Sequence, residues 1–135
     1  MATRYFTPEE ANALLDEVRP VAERLVAHRR AMAVMAARRA RYVQRIAGNG
    51  GDFDPQEQRT LEEEFEREGA AVAACVAQLE ELGVLVKDLD RGLVDFPALR
   101  DGEEVLLCWE IGEDEIAFWH GVDEGFAGRK PLPLD

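Results

Sequence analysis

The chain has 135 residues, 28 acidic and 16 basic, for a formal net charge of -12. That length suits one domain, residues 1–135, able to bury a core without disulfides or a structural metal. The excess of acid repels phosphate backbones and anionic lipid, so nucleic acid and membrane surfaces are poor main partners; a cation, a basic partner or an uncharged one remains.

Hydrophobic residues make up 47% and charged residues 33%, a globular rather than a disordered composition. Cys75 and Cys108 show no CxxC spacing and form no disulfide framework. The opening Met1-Ala2-Thr3-Arg4-Tyr5-Phe6 lacks the apolar core of a leader, and no apolar run has the length of a membrane span. The expected compartment is the cytoplasm, with both thiols reduced.

Thr7-Pro8-Glu9-Glu10 is a helix start: Thr7 caps, Pro8 takes the first helical position and Glu10 closes a capping box. An apolar seam follows through Leu14, Val18, Val21, Leu25, His28, Met32, Met35, Arg39, Tyr42 and Ile46. Its steps of four and three are those of a heptad. Pro20 lies inside it and predicts a kink or a break near Arg19. Gly48-Asn49-Gly50-Gly51 marks a turn, with the tip at 48–53. Asp54-Pro55-Gln56-Glu57 then repeats the start signal. The second seam runs through Leu61, Phe65, Glu68, Val72, Cys75, Leu79 and Leu82, and Gly83 stops it.

Folding the chain at the tip sets Tyr42 against Leu61, Met32 against Val72 and Val21 against Leu82. Arg38 then lies near Glu64 and Arg45 near Glu57. His28 and Cys75 share a layer, two potential metal donors or, more simply, a polar position beside a small apolar one. Arg39 and Glu68 interrupt the seams and are expected to reach outward. Seven arginines and no acid lie between Arg24 and Arg45, whereas six glutamates and two arginines lie between Glu57 and Glu68. The arginines are expected to pair with those glutamates rather than with phosphates. Alanines away from the seams favour helix and leave room for a second copy, so residues 8–82 are expected to form a coiled-coil-like helical hairpin that assembles a homo-oligomer, a dimer or larger.

Beyond Gly83 the period changes to two. Val84–Leu89 and Leu93–Phe96 flank Asp90-Arg91-Gly92, a hairpin loop with glycine at the left-handed position that sets Lys87 opposite Asp95. Pro97 and Asp101-Gly102 mark the next connection. Val105–Ile111 and Ile116–His120 flank Gly112-Glu113-Asp114-Glu115 as a second hairpin. Pairing Ile111 with Ile116 sets Trp109 opposite Phe118 and Leu107 opposite His120. That register places Val105, Leu107, Trp109, Phe118 and His120 on the face toward the helices, and Leu106, Cys108, Glu110 and Trp119 on the other. Large apolar residues on both faces predict burial on both. Residues 84–120 form the β-meander and residues 121–135 a tail without period, read as coil, with Gly125-Phe126-Ala127-Gly128-Arg129 read as a run laid across the sheet or an anion clasp through Arg129. The fold class is α+β, a long helical hairpin followed by a small antiparallel meander.

Arg4-Tyr5-Phe6-Thr7 with Glu9-Glu10-Ala11-Asn12 resembles the opening of the bacterial family called domain of unknown function 2203. Lys87 to Ala98, Cys108-Trp109, Gly112 to Ile116, Trp119-His120 and Gly125 to Arg129 are similar to it as well. The resemblance covers nearly the whole chain and implies that the β-region carries the family's most distinctive residues; it implies no activity.

No nucleophile elbow, phosphate loop or zinc-protease helix occurs, and serine is absent, which excludes serine hydrolase chemistry. The expected function is an oligomeric binding or interaction module whose ligand surface gathers Asp90, Arg91, Asp95, Trp109, Trp119, His120 and Arg129. A second reading is a small metal-assisted enzyme in which His120 with Glu115 or Asp95 holds a divalent metal or moves a proton. A third is weak nucleic-acid binding through the arginine-rich first helix.

Overall fold

In the computed structural model, which describes residues 3–49 and 53–134, the cap chemistry of Thr7 and Glu10 is realised. The Glu10 amide donates to Thr7 Oγ1 at 3.1 Å, and the Thr7 amide donates back to Glu10 Oε1 at 2.8 Å. Two of the amides that a helix start leaves without partners are thereby satisfied. The helix α1 they open runs unbroken over Pro8–Asn49. It passes through Pro20, so the proline does not end it. Gly50 and Gly51 of the expected turn, with Asp52 of the tip, lie outside the described residues. Helix α2 spans Pro55–Glu81, capped by Asp54 Oδ1, which accepts from the Gln56 amide at 3.0 Å. It ends at Leu82, and Gly83 follows with φ 90°. No helix among the described residues is long and apolar enough to cross a membrane.

The two helices pack on each other, and Arg45 meets Glu57 at 3.2 Å as the charge pattern requires. His28 has a polar partner on the second helix. Its Nδ1 lies 2.6 Å from Glu68 Oε2, so two polar interruptions, one from each seam, bond to each other. Arg39 is exposed, as expected, with its guanidinium over the Phe65 ring at 4.9 Å, and no ion pair joins Arg38 to Glu64 among the described residues.

Five antiparallel strands follow, ordered in space as in sequence: β1 Leu85–Asp88, β2 Leu93–Arg100, β3 Glu103–Glu110, β4 Phe118–Gly121 and β5 Lys130–Pro131. Gly92, at φ 64°, turns the chain from β1 into β2. The register there shifts between Val86 and Asp88, so Leu85 and not Lys87 stands opposite Asp95. Asp101 and Gly102 both have positive φ and make the two-residue turn from β2 to β3. Pro97 does not mark a connection: it sits within β2, paired with Leu106, and its carbonyl accepts from the Phe6 amide at 2.7 Å. Strand β1 has ended by that point, so the amide that proline lacks has no ladder partner to lose.

The largest difference from the sequence expectation is the register of β3 and β4. Leu106 pairs with His120, Leu107 with Trp119 and Cys108 with Phe118, one residue away from the expected pairing. Since side chains alternate along a strand, a one-residue slip moves all of β4 to the opposite face. Trp119 joins the side packed on the helices, while Phe118 and His120 turn to the far side. The hairpin itself forms, but its loop, between Glu110 and Phe118, is longer than the four-residue turn expected and is held by α1. Asn12 on α1 receives the Ile116 amide at 2.8 Å and donates to the Ile116 carbonyl at 3.2 Å. Arg19 donates to the carbonyls of Glu113 at 3.1 Å and Asp114 at 2.8 Å. The segment that closes β3 onto β4 is thus fastened to α1.

The core lies between α1, the end of α2 and one sheet face. It is built from Leu15, Val18, Leu25, Leu79, Phe96, Leu107 and Trp109, each 3% exposed or less. Each such side chain contributes roughly 1.5–3 kcal/mol by burial. The tail adds a 3-10 turn over Phe126–Gly128 and the short β5 to what the sequence reads as coil.

Candidate metal centre

On the sheet face away from the helices, strand pairing brings three donor types together. Asp95 on β2 stands opposite Cys108 on β3, and His120 on β4 stands opposite Leu106, two residues from Cys108 and on its face. One donor atom from each of Asp95, Cys108 and His120 lies within 4.8 Å of the others. Their exposures are 1%, 0% and 4%.

The electrostatics follow from that burial. Asp95 Oδ1 lies 3.2 Å from His120 Nε2. Desolvation raises the Asp95 carboxyl above its ordinary 3.8, against the opposing pull of His120. Burial, followed by the charge of Asp95, pushes the Cys108 thiol from 9.0 up to about 12, against the pull of Arg129. His120 Nδ1 faces the Gly121 carbonyl at 2.8 Å, an acceptor, so Nδ1 carries a proton. The hydrogen bond between Nε2 and Asp95 Oδ1 then needs a proton on that carboxyl or a second one on the ring, and a metal at Nε2 would take that proton's place.

Arg129 closes this face. Its guanidinium takes both oxygens of Glu113 at 2.7 and 2.8 Å and donates to the Cys108 carbonyl at 3.3 Å. It is sandwiched between Phe118 at 4.3 Å and Phe126 at 4.4 Å. Arg91 stacks on the far side of the series, 4.2 Å from Phe126, and pairs with Glu110. Arg129 Nε is buried without a hydrogen-bond partner.

The residues singled out in the sequence therefore divide. Asp95, His120 and Arg129 belong to this face, with Arg91 at its edge. Trp109 does not: it is fully buried toward the helices, its Nε1 donating to the Glu113 carbonyl at 3.0 Å and its ring beneath Arg19. Trp119 is also turned to that side, between Arg100 at 5.1 Å and Lys130 at 4.9 Å. Asp90 is exposed and pairs with Arg29 of α1 at 3.1 Å. Glu115 is exposed beside Pro8, Glu9 and Asn12, held there by the α1 fastening, and is not a partner of His120. Cys75 is a buried free thiol, and the His28 ring is engaged with Glu68. Cys108, the third member of the cluster, escaped the sequence reading because the register expected there set it on the face opposite His120.

A thiol, an imidazole and a carboxylate are the donors of zinc-type centres. Bonds of 2.0–2.3 Å hold tetrahedral donors about 3.3–3.7 Å apart, so the widest gap here has to close by about 1 Å, within reach of side-chain rotation. The imidazole is also prepared for the role, because metal-binding histidines commonly donate their other N–H to a carbonyl, as His120 does.

A family model described as an uncharacterized conserved protein (DUF2203) matches residues 4–132. No curated protein and no solved structure matches the chain.

Proposed function

The chain belongs to the DUF2203 family, and from that premise we propose that it is a metal-binding module whose sheet holds one zinc ion through Asp95, Cys108 and His120. The observation that carries this reading is the convergence of three different donors, from three adjacent strands, within 4.8 Å. Charge supports it. A divalent ion balanced by one thiolate and one carboxylate is a neutral unit, which a buried site tolerates far better than an unpaired charge. A three-ligand centre leaves one coordination position for water. The 4% or lower exposure of all three side chains favours an ion that ties β2, β3 and β4 together over a metal-assisted enzyme admitting substrate. A thiol that must stay reduced to bind suits the cytoplasm.

The test is titration of the full chain with cobalt(II), a spectroscopic stand-in for zinc. The expected result is one equivalent bound, with a near-ultraviolet thiolate-to-cobalt band that survives Cys75→Ala and disappears in Cys108→Ser. His120→Gln is expected to weaken binding by about 10-fold or more, since it removes a ligand. Absence of any thiolate band in the folded protein at stoichiometric cobalt would refute the proposal and leave the triad as a buried hydrogen-bond network.

A further inference from the structure

We infer that the distal parts of α1 and α2 form a self-association surface whose occupant is a second copy of this chain. This rests on observations separate from the metal centre. The helix residues that join the main core end at Val26 on α1 and begin at Cys75 on α2. Beyond those points, only Tyr42 and Val72 are buried among the described helical residues. The two helices project as an arm with almost no core of its own, and isolated helix pairs of this kind are marginal in water.

The arm carries a groove of about 840 Å³ near its tip. Its floor is apolar, with Ala36, Ala40 and Val43 on α1 and Phe53 just before α2. Val43 is 57% exposed and Phe53 56%. Arg39 lines it on the α1 side and Glu62 on the α2 side. One wall carries a base and the other an acid, so the patch is complementary to itself, as an isologous contact requires. A two-fold axis lays each copy's α1 wall against its partner's α2 wall, and both charge pairs are made at once.

The charge of the chain selects the same place. From Arg24 to Glu68 there are nine basic and eight acidic residues, although the whole chain carries -12. The rest of the chain taken together carries -13, so like charge opposes its association with a second copy, whereas the arm is near neutral. Packing two arms gives a four-helix bundle and covers the exposed valine and phenylalanine.

Sedimentation equilibrium of the full chain decides the matter. The wild type is expected to show twice the 15.1 kDa chain mass. Arg39→Glu gives a groove with two acidic walls, and Glu62→Arg one with two basic walls. Each variant alone is expected to associate about tenfold more weakly or worse, and an equimolar mixture of the two to recover dimers, because opposite walls meet again. Val43→Glu changes an exposed residue, keeps the helical circular dichroism and is expected to give monomers. A wild type that stays monomeric up to about 100 µM overturns the inference. So does a dimer that Val43→Glu leaves intact, which places the contact elsewhere. A monomer that instead shifts nucleic acid at low salt overturns it in favour of the arginine face.

Discussion

Asp95 and His120 lie 3.2 Å apart although their strands are not neighbours. Strand β3 runs between them, and strand spacings of roughly 4.8 Å put their backbones about 10 Å apart, so the two side chains lean toward each other across the ladder. Cys108 is the residue they lean over. A polar bridge across three strands on a buried face couples the proposed metal centre to the integrity of the sheet.

The pH dependence of metal affinity follows from the thiol. With Cys108 pushed up to about 12, the metal-free protein carries a neutral thiol at pH 7, and zinc has to displace its proton. Affinity is therefore expected to rise at least about tenfold per pH unit between roughly pH 6 and 8, and more steeply where the proton shared by Asp95 and His120 is displaced too, read by competition against a chelator of known affinity. Stability of the metal-free form moves the other way at high pH. The raised folded-state value contributes stability that is complete below 9.0 and is lost as pH rises toward about 12, so alkaline unfolding should begin near the lower figure. Cys108→Ala is expected to remove that alkaline loss.

Two glycines in left-handed turns are expected to respond oppositely. At Gly92, φ is 64° and an added Cβ would meet Ile111 Cδ1 at 2.3 Å, with Val26 Cγ2 at 3.0 Å behind it. Gly92→Ala combines backbone strain with overpacking and is expected to cost about 2–3 kcal/mol in urea unfolding. At Gly102, φ is 82° and nothing lies within 4 Å. Asparagine tolerates that conformation, so Gly102→Asn is expected to stay within about 0.5 kcal/mol of the wild type. Equal costs at the two sites would contradict the packing described for the β1–β2 turn.

The α1 cap should be visible at the acid end. Glu10 has its carboxyl lowered below 4.5, first by the Thr7 amide and then by the Thr7 hydroxyl. A lowered carboxyl contributes stability that is present above 4.5 and is lost as pH falls through the folded-state value. Thermal melts at pH 7 and pH 3 are expected to show Glu10→Gln destabilised relative to wild type at the first and nearly equal to it at the second. A difference that persists at pH 3 would mean the carboxylate charge is not what holds the cap.

What could be read in the sequence was whatever depends on neighbours in the chain. Thr7 and Glu10, Asp54 and Pro55, and Gly92 act within four residues of themselves, and all do what their types and spacing require. The same holds for Arg45 and Glu57, whose helices are brought together by a repeating seam. What could not be read was the face on which β4 lies. Phe118-Trp119-His120-Gly121 has no apolar–polar alternation, so nothing local fixes its register. The decision is made by Asn12 and Arg19, far away on α1, which set the path of Glu113 to Ile116. Asp95, His120 and Arg129 were recognisable as chemistry, but their meeting with Cys108 depended on that distant choice. The one usable signal was the presence of large apolar residues on both faces, which correctly implied that both would be covered.

The Asn12 amide imitates a strand. By receiving the Ile116 N–H and giving one back to its carbonyl, it makes the pair of bonds that an adjoining β-residue would make, across a separation of 104 positions. Closing so long a loop is entropically unfavourable, whereas each helix and each neighbouring pair of strands forms from nearby parts of the chain. The fastening is therefore expected to form after the helices and the neighbouring strand pairs, an order that pulse-labelled hydrogen exchange at the Ile116 amide would show. The register of β4, and with it the orientation of His120, thus depends on a contact with α1 as well as on the sheet itself.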